Sequence, residues 1–167
     1  TLEDVKRALT LPDFDGTAAQ KQMMPAFRRN IRAPQKGGQP RLGGVLLLLY
    51  PYQEQLHLLL TRRRDDLQAH AGQISFPGGR QEDGERFVTT ALRETHEEVG
   101  IPPETVTVLG PLTDIYIPPS DFEVYPFVAW YRAGKRPFFI PNAAEVAEIL
   151  EVPLPHLLNP ANRRVEP

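Results

Sequence analysis

The chain contains no cysteine, which excludes both a disulfide framework and a thiolate metal site. It also lacks a long hydrophobic run. The apolar stretch Val45 to Leu49 is far too short to cross a bilayer, so no membrane partner is expected. No basic n-region followed by an apolar h-region stands near Thr1, so secretion is not indicated and a cytoplasmic location is expected. An excess of one charge is missing too. A formal net charge of −2 supplies no global field for nucleic acid, so the local run Arg62-Arg63-Arg64 matters more than the total. There is no internal repeat and no low-complexity tract. The chain begins at Thr1 instead of Met and stops at Pro167, so a few residues are expected to be missing from one or both ends.

What is present is ordinary for a globular protein: 167 residues, 41% hydrophobic and 24% charged, enough for one domain with a proper core. A single domain over residues 1–167 is expected. The 18 prolines cluster as Pro102-Pro103, Pro118-Pro119 and Pro153/Pro155, which marks loops between periodic segments. Residues 1–33 read as an N-terminal arm, with a short helix from Leu2 to Leu9 and a second around Ala18 to Arg28. Pro34 to Pro40 links the arm to the body. Val45 to Tyr50 and Leu56 to Thr61 read as a hairpin around Tyr52 to Gln55. Val106 to Leu109, Leu112 to Ile117 and Val124 to Tyr131 are further strand candidates. Ala143 to Leu150 reads as a short amphipathic helix or turn, and Val152 with Leu154 to Leu158 as a closing segment. Strands on both sides of a central helix argue for α/β layering with a mixed sheet.

The most informative stretch is Gly79-Arg-Gln-Glu-Asp-Gly-Glu85 followed by Arg93-Glu94-Thr95-His96-Glu97-Glu98-Val99-Gly100-Ile101. No Pro or Gly interrupts Glu85 to Val99, while Gly100 and Pro102-Pro103 read as a helix stop. On an ideal helix Val88, Ala91, Leu92, Thr95 and Val99 share an apolar arc about 100° wide. Glu94, Glu97 and Glu98 share an adjacent one. Three like charges on one turn repel by a few tenths of a kcal/mol per pair. Such a face is either solvated or holds a cation, and carboxylate oxygens suit Mg²⁺ or Mn²⁺. Arg93 is placed to orient Glu94 or to pair with Glu85, about 80° away around the helix. Thr95 can pack its methyl and back-bond its hydroxyl to the Ala91 carbonyl. His96 points about 160° from Glu94 and is not expected to share its metal.

The stretch fits G-x5-E-x7-R-E-U-x-E-E-x-G-U, with U bulky and apolar, everywhere except Thr95. Seven fixed positions match by chance below about one time in a million for such a chain. The pattern over residues 79–101 resembles the Nudix box of the Nudix hydrolases. That resemblance implies an α/β/α sandwich with a mixed sheet and a loop–helix–loop catalytic box. It also implies metal-dependent cleavage of a nucleoside diphosphate linked to another group. Glu94 and Glu98 would then be the principal metal ligands, Glu97 would assist, and Gly79 would lend its carbonyl.

Upstream, Leu59-Leu60-Thr61, Arg63, Gly72 and Phe76-Pro77-Gly78-Gly79 match L-L-T-x-R-[SA]-x3-R-x3-G-x3-F-P-G-G. This resembles the motif of the coenzyme A pyrophosphatase branch of that family. Arg64 stands where the motif has a small residue, and Gln68 where it has a second arginine. Coenzyme A carries a pyrophosphate and a 3′-phosphate, so bidentate cationic donors are expected near the metal. Arg63, Arg64, Phe76 and Gly78 are the substrate-binding candidates, and Arg64 is a candidate substitute for the arginine absent at position 68. His70 has only proximity to commend it. Ile117 to Phe122 sits where the branch places a substrate-contacting loop, and Asn142 to Glu148 resembles its acidic stretch before Val-Pro.

The implied reaction is hydrolysis of a coenzyme A-like nucleotide by a monomer or homodimer, without nucleic acid. The candidate catalytic residues are Glu94, Glu97, Glu98, Arg93 and Glu145. A box carboxylate, Glu145 or Glu148 would position or deprotonate the attacking water, and the sequence leaves that choice open. ADP-ribose, a dinucleotide or a nucleoside triphosphate is the alternative substrate, and a non-catalytic nucleotide-binding module is the alternative class.

Overall fold

The apolar run of the first strand follows two glycines and is covered from both sides by helices, and the sheet is built around it. The computed structural model describes residues 1–23, 39–66 and 72–162. The chain runs α1 (Leu2–Leu9), α2 (Gly16–Met23), β1 (Arg41–Tyr52), β2 (Gln55–Arg63), β3 (Ile74–Ser75), β4 (Gly78–Arg80) and α3 (Phe87–Val99). It continues through β5 (Val106–Pro111), β6 (Ile115–Ile117), β7 (Phe122–Tyr131), β8 (Val146–Pro153) and α4 (Leu154–Leu158). The strand path is β3-β2-β1-β7-β5, with β4 on β1, β6 on β7 and β8 on β2. The β1–β7 pair is parallel and the remaining pairs are antiparallel, so the sheet is mixed. Among the described residues no helix is long and apolar enough to cross a membrane.

Alternation sorts the core into two layers. Leu46, Leu48 and Tyr50 of β1, Leu59 of β2 and Ala129 of β7 pack with Ala91 and Val99 of α3. Leu49, Leu58 and Val128 face the other way and pack with Val5 and Leu9 of α1 and Leu154 of α4. Helices therefore cover both faces, which is why β1 reads as a continuous apolar run and not as an alternating one. Gly44 lies on the α3 face. A Cβ there would sit 2.2 Å from the Phe87 carbonyl oxygen and 3.1 Å from the Ala91 nitrogen, so only glycine lets α3 approach this closely. Gly100 ends α3 in the left-handed conformation at φ 74°, with its N–H on the His96 carbonyl.

The expected elements hold with extended strand bounds and an added short strand, β3, and with further differences. Ala143 to Leu150 is not a helix: residues 143–145 turn and β8 follows, paired with β2. Val146, Ile149 and Leu150 fit a helical face, but β2 offers an open ladder that a strand can complete. The central helix starts at Phe87 instead of Glu85, because Glu85 turns back to pair with Arg93. Leu112 to Ile117 shortens to Ile115–Ile117, and the glycines after Pro77 form β4 in place of a simple turn. The second arm helix is α2 as far as Met23; its expected remainder and residues 34–38 of the linker lie outside the described residues, as do Gln68 and His70.

Candidate active site

The site forms where the last turns of α3 meet β4, the end of β2 and the turn before β8. Glu98 lies only about 20° from Ala91 around the ideal helix, at the seam between the packing and acidic faces. It is consequently buried, at 5% exposure. Its Oε2 accepts the Gly78 N–H at 3.3 Å, and its Oε1 is 3.8 Å from Nη1 of Arg63. Burial pushes its carboxyl up to about 7, and the neighbouring charges of Glu94 and Glu145 add to that, while Gly78 and Arg63 oppose it.

Burial likewise raises Glu94, against the lowering influence of Arg93. Gly79 is pressed against this carboxylate: a Cβ on Gly79 would lie 2.4 Å from Cδ of Glu94. The carbonyl oxygen of Gly79 is turned to Gly43, whose own Cβ would meet it at 2.2 Å. Glu97 is the exposed member, with its carboxylate 3.3 Å from Nη1 of Arg93 and 55% of its side chain accessible.

Arg93 organises these carboxylates and is fully engaged. Nε and Nη2 grip Glu85 at 3.0 and 3.1 Å, Nη1 donates to Glu94 at 2.9 Å, and Nη2 also donates to the Arg80 carbonyl at 3.2 Å. The bidentate pair holds the Glu85 carboxyl well down, at about 2, with Arg93 the leading cause. Thr90 donates its hydroxyl to Glu85 at 2.7 Å, a partner that sequence reading missed because nothing in the spacing marks it. Thr95 is buried and bonds the Ala91 carbonyl at 2.6 Å, as its position in the apolar arc predicts.

The arginine triple divides by strand alternation. Arg63 shares a face with Leu59 and Thr61, hence with α3, and stands 3.6 Å from Glu145 as well as beside Glu98. Arg62 points away to Asp65 and Glu148, each at 3.2 Å. A bulge facing the Arg62/Arg63 step, with Ala147 as the extra residue of β8, separates Glu148 from Glu145. Arg64 binds Asp66 at 2.7 and 2.5 Å and the Ala143 carbonyl at 2.6 Å. It lines an open cleft of about 460 Å³ with Asp65, Asp66, Ala143, Val146 and Ala147. Arg64 is thus not brought to the carboxylates with Arg63. Phe76 is not either; it packs into the layer on the opposite face of the sheet. Gly78 is brought in by its N–H, and a side chain there would strike the Gly44 carbonyl at 2.3 Å.

Among the described residues no three Asp, Glu or His side chains form a ready-made cation cage. The donors nonetheless suit a hard divalent ion. Burial raises both carboxyls at this helix end, with the Glu94 charge adding to the rise at Glu98, and Mg²⁺ characteristically takes few protein ligands plus water and phosphate oxygens.

Fold and site together define a class, an α/β sandwich presenting the acidic end of one helix to a glycine-bearing strand. The model of the NUDIX domain matches residues 40–166, and the chain belongs to the Nudix hydrolase family. Members of this family generally use divalent ions such as Mg²⁺ or Mn²⁺ and act on small-molecule nucleotides. The chain is 52% identical over 102 residues to "Uncharacterized Nudix hydrolase NudL" of Pectobacterium atrosepticum, an alignment covering 58% of this chain and 50% of that protein. It is 33% identical over 159 residues to "Nudix hydrolase 3" of Caenorhabditis elegans, covering 89% of this chain and 64% of that one. The chain thus spans half to about two thirds of the length of these relatives. Among solved structures, the Nudix hydrolase RenU of M. smegmatis superposes with a TM-score of 0.59 at 24% identity, covering 71% of this chain and 74% of that one. The NUDIX domain of Shewanella oneidensis NrtR, complexed with ADP ribose, gives 0.56 at 19% identity over 81% and 87%. These two likenesses show the fold.

Proposed function

We propose that this protein hydrolyses the pyrophosphate of coenzyme A or a close derivative, releasing 3′-phosphoadenosine 5′-phosphate and 4′-phosphopantetheine. The observation that carries hydrolysis is the buried Glu98, set between the Gly78 amide and Arg63 with Glu94 and Glu145 near enough to raise its pKa. A divalent cation held by Glu94 and Glu98, with Glu97 assisting and Gly79 alongside, would neutralise the diphosphate and acidify a water. The chain's own residues supply the rest. Arg63 balances charge on the substrate phosphates from the α3 side of β2. Arg93, locked onto Glu85, orients Glu94 and touches no substrate. Glu98 or Glu145 accepts a proton from the attacking water. The new P–O bond forms as the bridging P–O bond breaks, and the departing phosphate keeps the bridging oxygen.

The substrate rests on the motif from Leu59 to Gly79, and one observation favours a broader reading. Leu59, Thr61 and Pro77 are buried and Phe76 packs on the far layer, so these positions build the scaffold that presents Arg63 and Gly78. ADP-ribose, a dinucleotide or a nucleoside triphosphate is therefore the rival. A non-catalytic module fits poorly, because every box carboxylate is retained. Turnover of coenzyme A, dephospho-coenzyme A and ADP-ribose with Mg²⁺ or Mn²⁺ tests the assignment. Coenzyme A should be cleaved best; a best substrate without the pantetheine arm overturns it. Glu98→Gln should abolish turnover with the fold intact, and undiminished activity would sink the role given to that carboxylate.

A further inference from the structure

Between β7 and β8 the chain forms a strap that is tied down at both ends. At the start, Arg136 binds Glu151 at 3.1, 2.9 and 2.7 Å, and its guanidinium lies over the Tyr52 and Phe139 rings at 5.3 and 5.5 Å. Tyr50, fully buried, donates to the same Glu151 at 3.0 Å. At the far end the strap is stitched to the last turn of α3, with Ile140 N–H on the Val99 carbonyl at 2.9 Å and Asn142 N–H on the Glu98 carbonyl at 2.8 Å. Three residues then turn into β8, and the third is Glu145. The first two, Ala143 and Ala144, are exposed, so the turn itself buries nothing before Val146 enters the core at the start of β8.

We propose that Asn142 is a positioning residue whose side chain closes this turn and so delivers the Glu145 carboxylate to Arg63 and Glu98. The inference rests on the hydrolytic reading above and deepens it. Asn142 Oδ1 accepts the Ala144 N–H at 3.0 Å, the bond that defines an Asx turn. Its carbonyl accepts the N–H groups of Glu145 at 3.0 Å and Val146 at 2.8 Å. Backbone bonds of that kind are open to any residue; the bond through Oδ1 is not. Arg64 braces the other side of the turn, its N–H on the Glu145 carbonyl at 3.1 Å and its Nη1 on the Ala143 carbonyl at 2.6 Å. Arg64 and Asn142 are therefore two halves of one clamp. The same Asn142 N–H that reaches the Glu98 carbonyl makes the two carboxylates share a frame. Glu145 is 45% exposed, and without the turn its side chain is free to swing into water.

The test is a cycle of Asn142→Ala, Asn142→Ser, Glu145→Gln and the Asn142→Ala/Glu145→Gln double variant. Each is assayed on whichever of coenzyme A, dephospho-coenzyme A and ADP-ribose the wild type turns over fastest. Failure on coenzyme A alone therefore overturns the substrate and leaves this proposal standing. Asn142→Ala should lose about tenfold in kcat with KM within about twofold, the mark of lost orientation. Serine, whose hydroxyl can accept the same N–H, should restore most of it. The double variant should be no slower than Glu145→Gln. Amide exchange at Ala144 reads the turn without turnover: faster in Asn142→Ala, recovered in Asn142→Ser. Multiplying effects in the double variant, a fully active Glu145→Gln, or unchanged exchange at Ala144 would each overturn the proposal.

Discussion

Glu98 destabilises the metal-free fold, and its neighbours offset only part of that. Its carboxyl rises from 4.5 to about 7, chiefly through burial. A native state that keeps a proton the unfolded chain has released is favoured at low pH, so stability falls as pH rises from 4.5 through about 7. The full shift corresponds to about 3 kcal/mol. In chelator at pH 8, Glu98→Gln should therefore be the more stable protein by roughly 2–3 kcal/mol, with the gap closing toward pH 4.5. Urea melts of both proteins at the two pH values check this; equal stability at pH 8 would mean that Glu98 is not desolvated. Glu85 has the opposite sign. Held at about 2 by Arg93, it contributes stability that is complete above 4.5 and lost as pH falls toward 2. Glu85→Gln breaks a largely sheltered bidentate pair and should lose about 2 kcal/mol. Turnover should fall with it by about tenfold, because Arg93 is then free to pull Glu94 out of place. Wild-type turnover in that variant would show that Thr90 and Arg80 suffice to hold the array.

Elements carry a different kind of strain. The β1–β2 hairpin turns through Gln53 and Glu54, both with positive φ (47° and 60°), a type I′ geometry made without glycine or asparagine. Replacing the pair with Asn-Gly should raise stability by about 1 kcal/mol and the melting temperature by about 2–4 °C, with kcat unchanged. A lower melting temperature would mean that Gln53 or Glu54 makes contacts worth more than the backbone strain. Elements were legible from sequence where one signal dominated. The α1 bounds, the hairpin, the Gly100 stop and the packing arc through Thr95 each follow from a periodicity or a cap. Val146 to Leu150 was not, because its apolar spacing suits a helix face, and only the open edge of β2 decides for a strand. Gly44 lies within β1, and its function there is to admit α3, which no local pattern announces. Of the site, Glu94 and Glu98 follow from helix geometry. Strand alternation separates Arg63 from Arg62 only because β2 runs on to Arg63, past the expected strand end at Thr61. The ties of Arg64 to Asp66 and Ala143 required the fold, since those partners meet only when β8 docks beside β2.

At the scale of the molecule, the sheet separates chemistry from support. The α3 face carries every carboxylate of the site, whereas α1 and α4 seal the other face around Leu49, Leu58 and Val128. The described part of the arm belongs to that second layer: Val5 and Leu9 pack there, and Leu9 approaches Gly110 of β5. Gln20 of α2 reaches the carbonyls of Thr113 and Asp114 at 2.8 and 3.1 Å. α1 is therefore a brace on the reverse of the sheet and not a cover over Glu98. Truncating its apolar contacts in a Val5→Ala/Leu9→Ala variant should lower stability by about 2 kcal/mol, since both side chains are only partly buried. The turnover number and KM should stay within about twofold of wild type, because among the described residues α1 packs on β5 and on the layer of Leu49, Leu58 and Val128, across the sheet from α3. Urea melts and steady-state rates on the same preparations separate the two effects. A fall in kcat at unchanged stability would mean that the brace sets the position of β1 against α3, and that the close approach at Gly44 transmits it.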